Sequence, residues 1–160
     1  MCKAPNSILS RFTVVLLDMN GTFMFGGDRF GPEQDFAATY HALGGRHHRL
    51  GVIANIISRK EPWLSEFARA GVLHLFATTV FSSDSRSVKP SRKLFEHALS
   101  AIHVPRSEVV FVGDSLRCDI GGAAGAGLAS IWIDRAGRGR GARDPEPTCV
   151  IGNLLELINS

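Results

Sequence analysis

Long apolar runs are missing from this chain. No stretch approaches the roughly 18 residues that a membrane-spanning helix needs. The N-terminus also lacks an apolar signal segment, because the run Val14 to Leu17 is short and ends at an acid. A cytoplasmic protein with no membrane partner is expected. Cysteine is scarce, with Cys2, Cys118 and Cys149 the 3 of 160 residues. That odd, widely spaced set fits free thiols in a reducing compartment better than a disulfide frame or a zinc site. Charge of one sign is not in excess: 18 Lys and Arg face 15 Asp and Glu, a net +3 that argues for no nucleic-acid partner. Internal repeats are absent, and the 6 histidines show no concerted ligand spacing. What remains, 44% hydrophobic and 21% charged, is ordinary globular composition. The length suits a single domain over 1–160 with one sizeable core.

Short apolar runs alternate with helix-like stretches, which predicts βαβ units around a parallel sheet. Strands are expected at Val14–Asp18, Gly51–Ser58, Ala77–Phe81, Val109–Val112, Ser130–Ile133 and Cys149–Ile151. Helices are expected at Pro32–Leu43, Glu61–Ala70, Arg92–Ala101, Asp119–Ala126 and Leu154–Asn159. Residues 23–30, with Gly26-Gly27-Asp28 in the middle, read as a short hairpin or flap after the first strand. The segment 135–147 is rich in Arg, Gly and Pro and reads as an exposed, solvated loop. The expected fold class is therefore α/β: a three-layer αβα, Rossmann-like domain with a central, mostly parallel sheet. Its core would span about 12–134, followed by the Arg/Gly loop and a C-terminal strand and helix over 148–160.

Thr13-Val14-Val15-Leu16-Leu17-Asp18-Met19-Asn20-Gly21-Thr22 is the most informative segment. A β-branched run this short reads as a strand buried on both faces. A carboxylate at its tip sits where open α/β sheets place their chemistry. Three further features follow in order. Ser58 ends the run Val52 to Ile57, Lys89 precedes Pro90, and Gly113-Asp114-Ser115-Leu116-Arg117-Cys118-Asp119 follows the run Val109 to Val112. A parallel sheet gathers strand-end residues on one edge. A carboxylate nucleophile, a hydroxyl, an ammonium and an acid pair together make a phosphoryl-transfer site. Asp18 can attack phosphorus and carry the phosphoryl group. Asp18 and Asp114 would hold Mg²⁺. Lys89, Ser58 and the backbone N–H groups of Met19, Asn20, Gly21 and Thr22 would neutralise phosphoryl oxygens. Asp119 would steady Lys89 or the metal's water, with Ser115 beside it.

In these motifs the chain resembles the haloacid dehalogenase-like hydrolase superfamily. The motifs stand here as Asp18-Met19-Asn20-Gly21-Thr22, Ser58, Lys89-Pro90 and Gly113-Asp114 with Asp119. The resemblance implies a Rossmann-like sheet, Mg²⁺ as cofactor and, usually, phosphatase activity on a phosphorylated substrate. It also implies that the metal is bound by Asp18, the backbone carbonyl of Asn20, and Asp114. Two departures stand out. Phosphatases of that family carry Asp where this chain has Asn20, and an amide cannot exchange a proton at neutral pH. The resemblance therefore leaves open a slow phosphatase, an enzyme limited to good leaving groups, or a binding protein that keeps only the phosphate and metal pocket. The second departure is that neither the gap from Thr22 to Ser58 nor that from Ser58 to Lys89 has room for a separate cap domain. The site should be open, and a homo-oligomer could supply a lid.

Alternative readings are weaker. Ala54-Asn55 could be the second motif instead of Ser58, but it would leave Ile56-Ile57 outside the strand. Ser58 with Glu61 could form a helix capping box. Gly113-Asp114-Ser115-Leu116 hints at a serine esterase, yet no histidine follows it to act as base. A phosphoacceptor receiver domain shares the Asp, hydroxyl and Lys-Pro but has no acid pair after the lysine. The glycines Gly121, Gly122, Gly125 and Gly127 lack dinucleotide-loop spacing, and small residues there would let a helix pack closely.

Overall fold

A computed structural model describes residues 9–25, 29–30, 33–45 and 48–158. Six strands form one parallel sheet: β1 (Val14–Leu17), β4 (Arg49–Ala54), β5 (Phe76–Phe81), β6 (Val109–Gly113), β7 (Ala129–Ile133) and β8 (Cys149–Ile151). Their order is β5-β4-β1-β6-β7-β8, with β1 paired to both β4 and β6. Chain order reverses at the β1/β6 boundary. That makes the crevice beyond the C-terminal ends of β1 and β6 the switch point, where ligands of open α/β sheets bind. The expected flap is present as β2 (Met24–Phe25) paired antiparallel with β3 (Arg29–Phe30).

Alternation along the strands builds the layers, because successive side chains point to opposite faces. Val15, Leu17, Val110 and Val112 join one cluster with Tyr40, Leu43 and Phe67. These come from α1 (Glu33–Gly45) and α2 (Glu61–Arg69). Val14, Leu16, Val109 and Phe111 join the other cluster with Leu94, Phe95, Ala98 and Ile102. The latter four belong to α4 (Arg92–Ile102). All four residues of β1 are fully buried, so the runs read as two-face apolar strands are just that.

The largest difference from expectation lies in β4, which ends at Ala54 rather than Ser58. Ile56 and Ile57 leave the sheet despite their β propensity, and Ile57 is fully exposed. Packing context overrides propensity here. A short helix, α3 (Ser82–Ser85), follows β5, and its first residue, Ser82, ties the departing loop down. The Ser82 hydroxyl accepts from the Ile56 N–H at 2.9 Å and donates to the Ile56 carbonyl at 3.0 Å. The predicted helix at 119–126 is instead a π turn over Leu116–Ile120 running into α5 (Gly121–Gly125). Gly122 does serve close packing: a Cβ there would sit 2.6 Å from the Phe95 ring. The C-terminal helix shrinks to a 3₁₀ turn over Leu154–Leu157, and Asn159 lies outside the described residues. Cys118 is free, as expected, and Cys2 lies outside the described residues. Among the described residues no helix is long and apolar enough to cross a membrane.

Candidate active site

Asp18 follows the last residue of β1, and its N–H donates to the Val112 carbonyl at 2.8 Å. The sheet ladder thus fixes the backbone from which the carboxylate projects. Each carboxylate oxygen is held. Oδ1 accepts from the Lys89 ammonium in a short, buried ion pair, and Oδ2 accepts from the Thr22 hydroxyl at 3.0 Å. Lys89 also reaches Asp119 Oδ1 at 2.7 Å, and Asp119 Oδ2 accepts from the Ser115 N–H at 2.9 Å. Asp18, Lys89 and Asp119 are 5%, 3% and 1% exposed, so this is a buried carboxylate–ammonium–carboxylate chain.

Asp114 comes from the loop after β6, on the other side of the switch point. One oxygen each of Asp18, Asp114 and Asp119 fall within 4.8 Å of one another. Gly21 makes the approach possible. Its φ is +82°, and a Cβ there would lie 2.1 Å from Asp114 Oδ2. Gly113 is needed for the same reason against Asp119, at 2.5 Å. The indole N–H of Trp132, on β7, donates to the Asp114 carbonyl at 2.9 Å and fixes that loop from behind.

Crowded acids disturb one another's titration. Burial pushes the Asp18 carboxyl up from 3.8 to about 6; Lys89 opposes this and the Asp119 charge adds to it. Asp114 is also raised, first by burial and then by Asp119. Burial alone would lower Lys89, but the Asp18 and Asp119 charges outweigh it and hold the ammonium above its ordinary value. Three acids around one lysine leave an excess of negative charge in a poorly solvated place. A hard divalent cation with oxygen ligands fits that donor set.

The cavity in front of these groups has a volume of about 150 Å³, room for one phosphoryl group and a few waters. Asp18, Asn20, Asn55, Lys89, Asp114, Ser115, Cys118 and Asp119 line it. The structure therefore brings together Asp18, Asn20, Lys89, Asp114, Ser115 and Asp119 from the predicted set. Met19 is at the site through its backbone only, since its side chain is fully buried in the core. The Thr22 N–H is not available to a phosphate, because it donates to the Met19 carbonyl at 3.3 Å.

Ser58 does not line this cavity. Its hydroxyl is exposed and accepts from the Trp63 indole at 2.9 Å. Nor does it cap α2, whose N-cap is Lys60 without a side-chain hydrogen bond. Asn55 takes the place at the tip of β4. Its amide grips the backbone of Lys89 from both ends: Oδ1 accepts from the Lys89 N–H at 2.8 Å and Nδ2 donates to the Lys89 carbonyl at 3.2 Å. The structure thus brings Asn55 of the alternative pair Ala54-Asn55 to the cavity and leaves Ser58 outside it. The amide of Asn20 donates to the Asn55 carbonyl at 3.2 Å, joining the tips of β1 and β4. Trp132 and Arg135, whose guanidinium donates to the Thr22 carbonyl, are neighbours of the site that sequence reasoning missed, whereas Asn55 was weighed there only within the alternative second motif.

Residues 88–157 match the HAD-hydrolase-like family model. The phosphoserine phosphatase of Thermus thermophilus is 37% identical over 91 residues, which cover 56% of this chain and 35% of that protein. The pyrimidine 5′-nucleotidase YjjG of Escherichia coli is 34% identical over 113 residues, covering 68% of this chain and 48% of that protein. Among solved structures, a HAD phosphatase from Thermococcus onnurineus superposes with a TM-score of 0.66 at 29% identity, covering 81% of this chain and 56% of that one. The chain thus spans about a third to a little over half of the length of these relatives.

Proposed function

We propose a function from one premise: the chain belongs to the haloacid dehalogenase-like hydrolase superfamily. The protein is a Mg²⁺-dependent hydrolase of phosphorylated substrates that works through an aspartyl phosphate on Asp18 and favours leaving groups needing no proton. The observation that carries this reading is the buried Asp18–Lys89–Asp119 chain facing a cavity shared with Asp114. The acid cluster is the place for the metal, with Asp18 and Asp114 as side-chain ligands and the Asn20 carbonyl as a backbone ligand. Bound there, Mg²⁺ would supply positive charge to the transferring phosphoryl oxygens.

The remaining steps belong to the chain's own side chains. Thr22 and Lys89 hold both Asp18 oxygens, so the nucleophile is aimed before substrate arrives. An Asp18 oxygen forms the bond to phosphorus, and the leaving oxygen departs with the P–O electron pair. Lys89 stays charged and stabilises the phosphoryl oxygens. Water then attacks phosphorus, phosphate leaves, and the Asp18 carboxylate is restored. Asn20 can donate a hydrogen bond throughout, but it can neither protonate the leaving oxygen nor accept the water's proton. General acid–base assistance is typically worth ~10²–10⁴-fold, about 3–5 kcal/mol of barrier. Acyl phosphates and anhydrides do not need it, whereas alkyl phosphates do. The site is open, so a large substrate or a lid from a second copy of the chain would complete its enclosure.

A second reading follows from a specific pair of observations. Asn20 is engaged with the Asn55 carbonyl, and Ala54 offers no hydroxyl to phosphate. Together they favour a protein that holds metal and phosphate without turnover. Assaying the native chain and Asn20→Asp against acyl phosphates, anhydrides and alkyl phosphates separates the two readings. In the variant the new carboxyl would face the Asn55 carbonyl, a neighbour that favours its protonated form. The hydrolase reading expects native turnover of acyl phosphates and a roughly 10²-fold gain on alkyl phosphates in the variant. Binding of Mg²⁺ and phosphate with no hydrolysis by either form would establish the second reading instead.

A further inference from the structure

The described arginine side chains divide by position. Away from the site each is engaged. Arg11 lies over the Phe12 ring at 4.9 Å, Arg49 donates to the Ile102 carbonyl at 2.8 Å, and Arg69 pairs with Glu66 at 2.7 Å. Arg92 and Arg106 share Glu96 at 2.8 and 2.7 Å. On the loops beyond the C-terminal ends of β4 to β7, Arg135 donates to the Thr22 carbonyl and Arg140 to the Asp144 carbonyl at 3.1 Å, but five other arginines stand apart. Arg59, Arg86, Arg117, Arg138 and Arg143 are exposed, and their side chains make no hydrogen bond or ion pair among the described residues. Most acids of these loops are already committed. Asp84 pairs with Lys60 at 3.1 Å, Asp134 accepts from the N–H groups of Arg138 and Gly139 at 3.1 and 2.8 Å, and Asp144 accepts from the Gly141 N–H at 2.7 Å.

These five cations stand on the rim that carries Asp18, and they flank it. Arg59 and Arg86 follow β4 and β5 on one side; Arg117, Arg138 and Arg143 follow β6 and β7 on the other. From β5 to β7 is four inter-strand steps, about 19 Å. A single phosphoryl group seated at Asp18 cannot reach both sides. On the β4/β5 side a second cavity of about 250 Å³ is lined by Arg59, Lys60, Glu61, Ser83 and Asp84. It lies on the same edge of the sheet, formed by the loops after β4 and β5 that the Ser82–Ile56 hydrogen bonds tie together just past Asn55.

We propose that the substrate is multiply anionic. The phosphoryl group hydrolysed at Asp18 is one of several phosphate or carboxylate groups, and the unpaired rim arginines hold the others, with Arg59 acting from the neighbouring cavity. Guanidinium groups suit this task because they bind phosphate and carboxylate oxygens in bidentate fashion. The identity of the central group rests on the phosphoryl-transfer reading; the rim's preference for extra charge is measured separately.

The test is calorimetric binding of three probes to the full chain with Mg²⁺ across a salt series. The probes are inorganic phosphate, a sugar bisphosphate and a short 5′-phosphorylated oligonucleotide. At low salt the multi-anionic probes should bind at least 10-fold more tightly than phosphate, with a steeper fall in log K against log salt. Arg59→Gln and the pair Arg138→Gln/Arg143→Gln should each reduce that preference and flatten the slope by about one per arginine lost. Arg69→Gln, which removes the same charge far from the rim, should do neither. Dependence on Arg59 alone supports the proposal with a compact substrate such as the bisphosphate; dependence on both sides supports it with an extended one. Equal affinities and slopes for all probes, or equal effects of Arg69→Gln, overturn it. If acyl phosphates are hydrolysed without any preference for added charge, the hydrolase reading survives and this proposal falls. Arginine-dependent binding without hydrolysis of anything has the opposite consequence.

Discussion

Replacing Asp18 by Asn should make the metal-free protein more stable, although it removes the nucleophile. The carboxyl's pKa rises from 3.8 to about 6 on folding. At 1.36 kcal/mol per unit, ionised Asp18 costs the fold on the order of 3 kcal/mol at neutral pH. The sign follows from linkage. Because the folded pKa lies above the unfolded one, the folded state binds more protons between them. Stability is therefore lost as pH climbs from about 4 to 6 and stays low above that. The variant escapes this cost but gives up a charged hydrogen bond to Lys89, and the lysine keeps Asp119 at 2.7 Å. The net gain should be about 1–2 kcal/mol, or roughly 3–6 °C in Tm for a domain of this size. Thermal unfolding of both proteins in EDTA at pH 7.5 measures it. At pH 4.5 about a third of the ionisation cost remains, so the gap should narrow or change sign. Added Mg²⁺ should raise the native Tm more than that of the variant, since a ligand stabilises the state it binds. An Asp18→Asn protein that melts below the native one at pH 7.5 in EDTA would refute the picture of an acid-crowded site in want of a cation.

Further outcomes follow from individual contacts. Asn55→Ala removes both hydrogen bonds to the Lys89 backbone and should cost roughly 2 kcal/mol with a large loss of phosphate affinity, measured by denaturant unfolding and calorimetry. Ser58→Ala should change stability by less than about 0.5 kcal/mol and leave phosphate binding intact, because its exposed hydroxyl accepts from the Trp63 indole away from the cavity. Equal effects of these two changes would contradict the placement of the second motif at Asn55. Gly21→Ala meets both a positive φ and the Asp114 carboxylate; it should cost about 1–2 kcal/mol from the backbone alone and weaken Mg²⁺ binding at least 10-fold by titration.

The β1 segment shows why part of the site was legible in the sequence. Burial on both faces demands a continuous apolar run, so Val14 to Leu17 announces a central strand, and the acid that ends it announces the site. The same holds for Val109 to Val112 and Asp114. Lys89 was legible only through its order in the chain, yet it lands against both Asp18 and Asp119. Ser58 shows the limit. The run from Val52 to Ser58 keeps β character to its end, and nothing local says that the sheet stops at Ala54. The strand stops there because Ser82, 26 residues from Ile56, captures the next peptide's N–H and carbonyl.

Taken alone, the order of residues determined the parallel αβα architecture, the flap and the strand-end acids, because two-face burial and turn chemistry act over a few neighbouring positions. Distances between remote segments decided the rest: Asn55 clamping Lys89, Gly21 giving way to Asp114, Asn20 bonded across to the next strand tip, and five rim arginines without a partner among the described residues. Contacts between segments tens of residues apart depend on how layers pack and where strands end, and no local pattern encodes either.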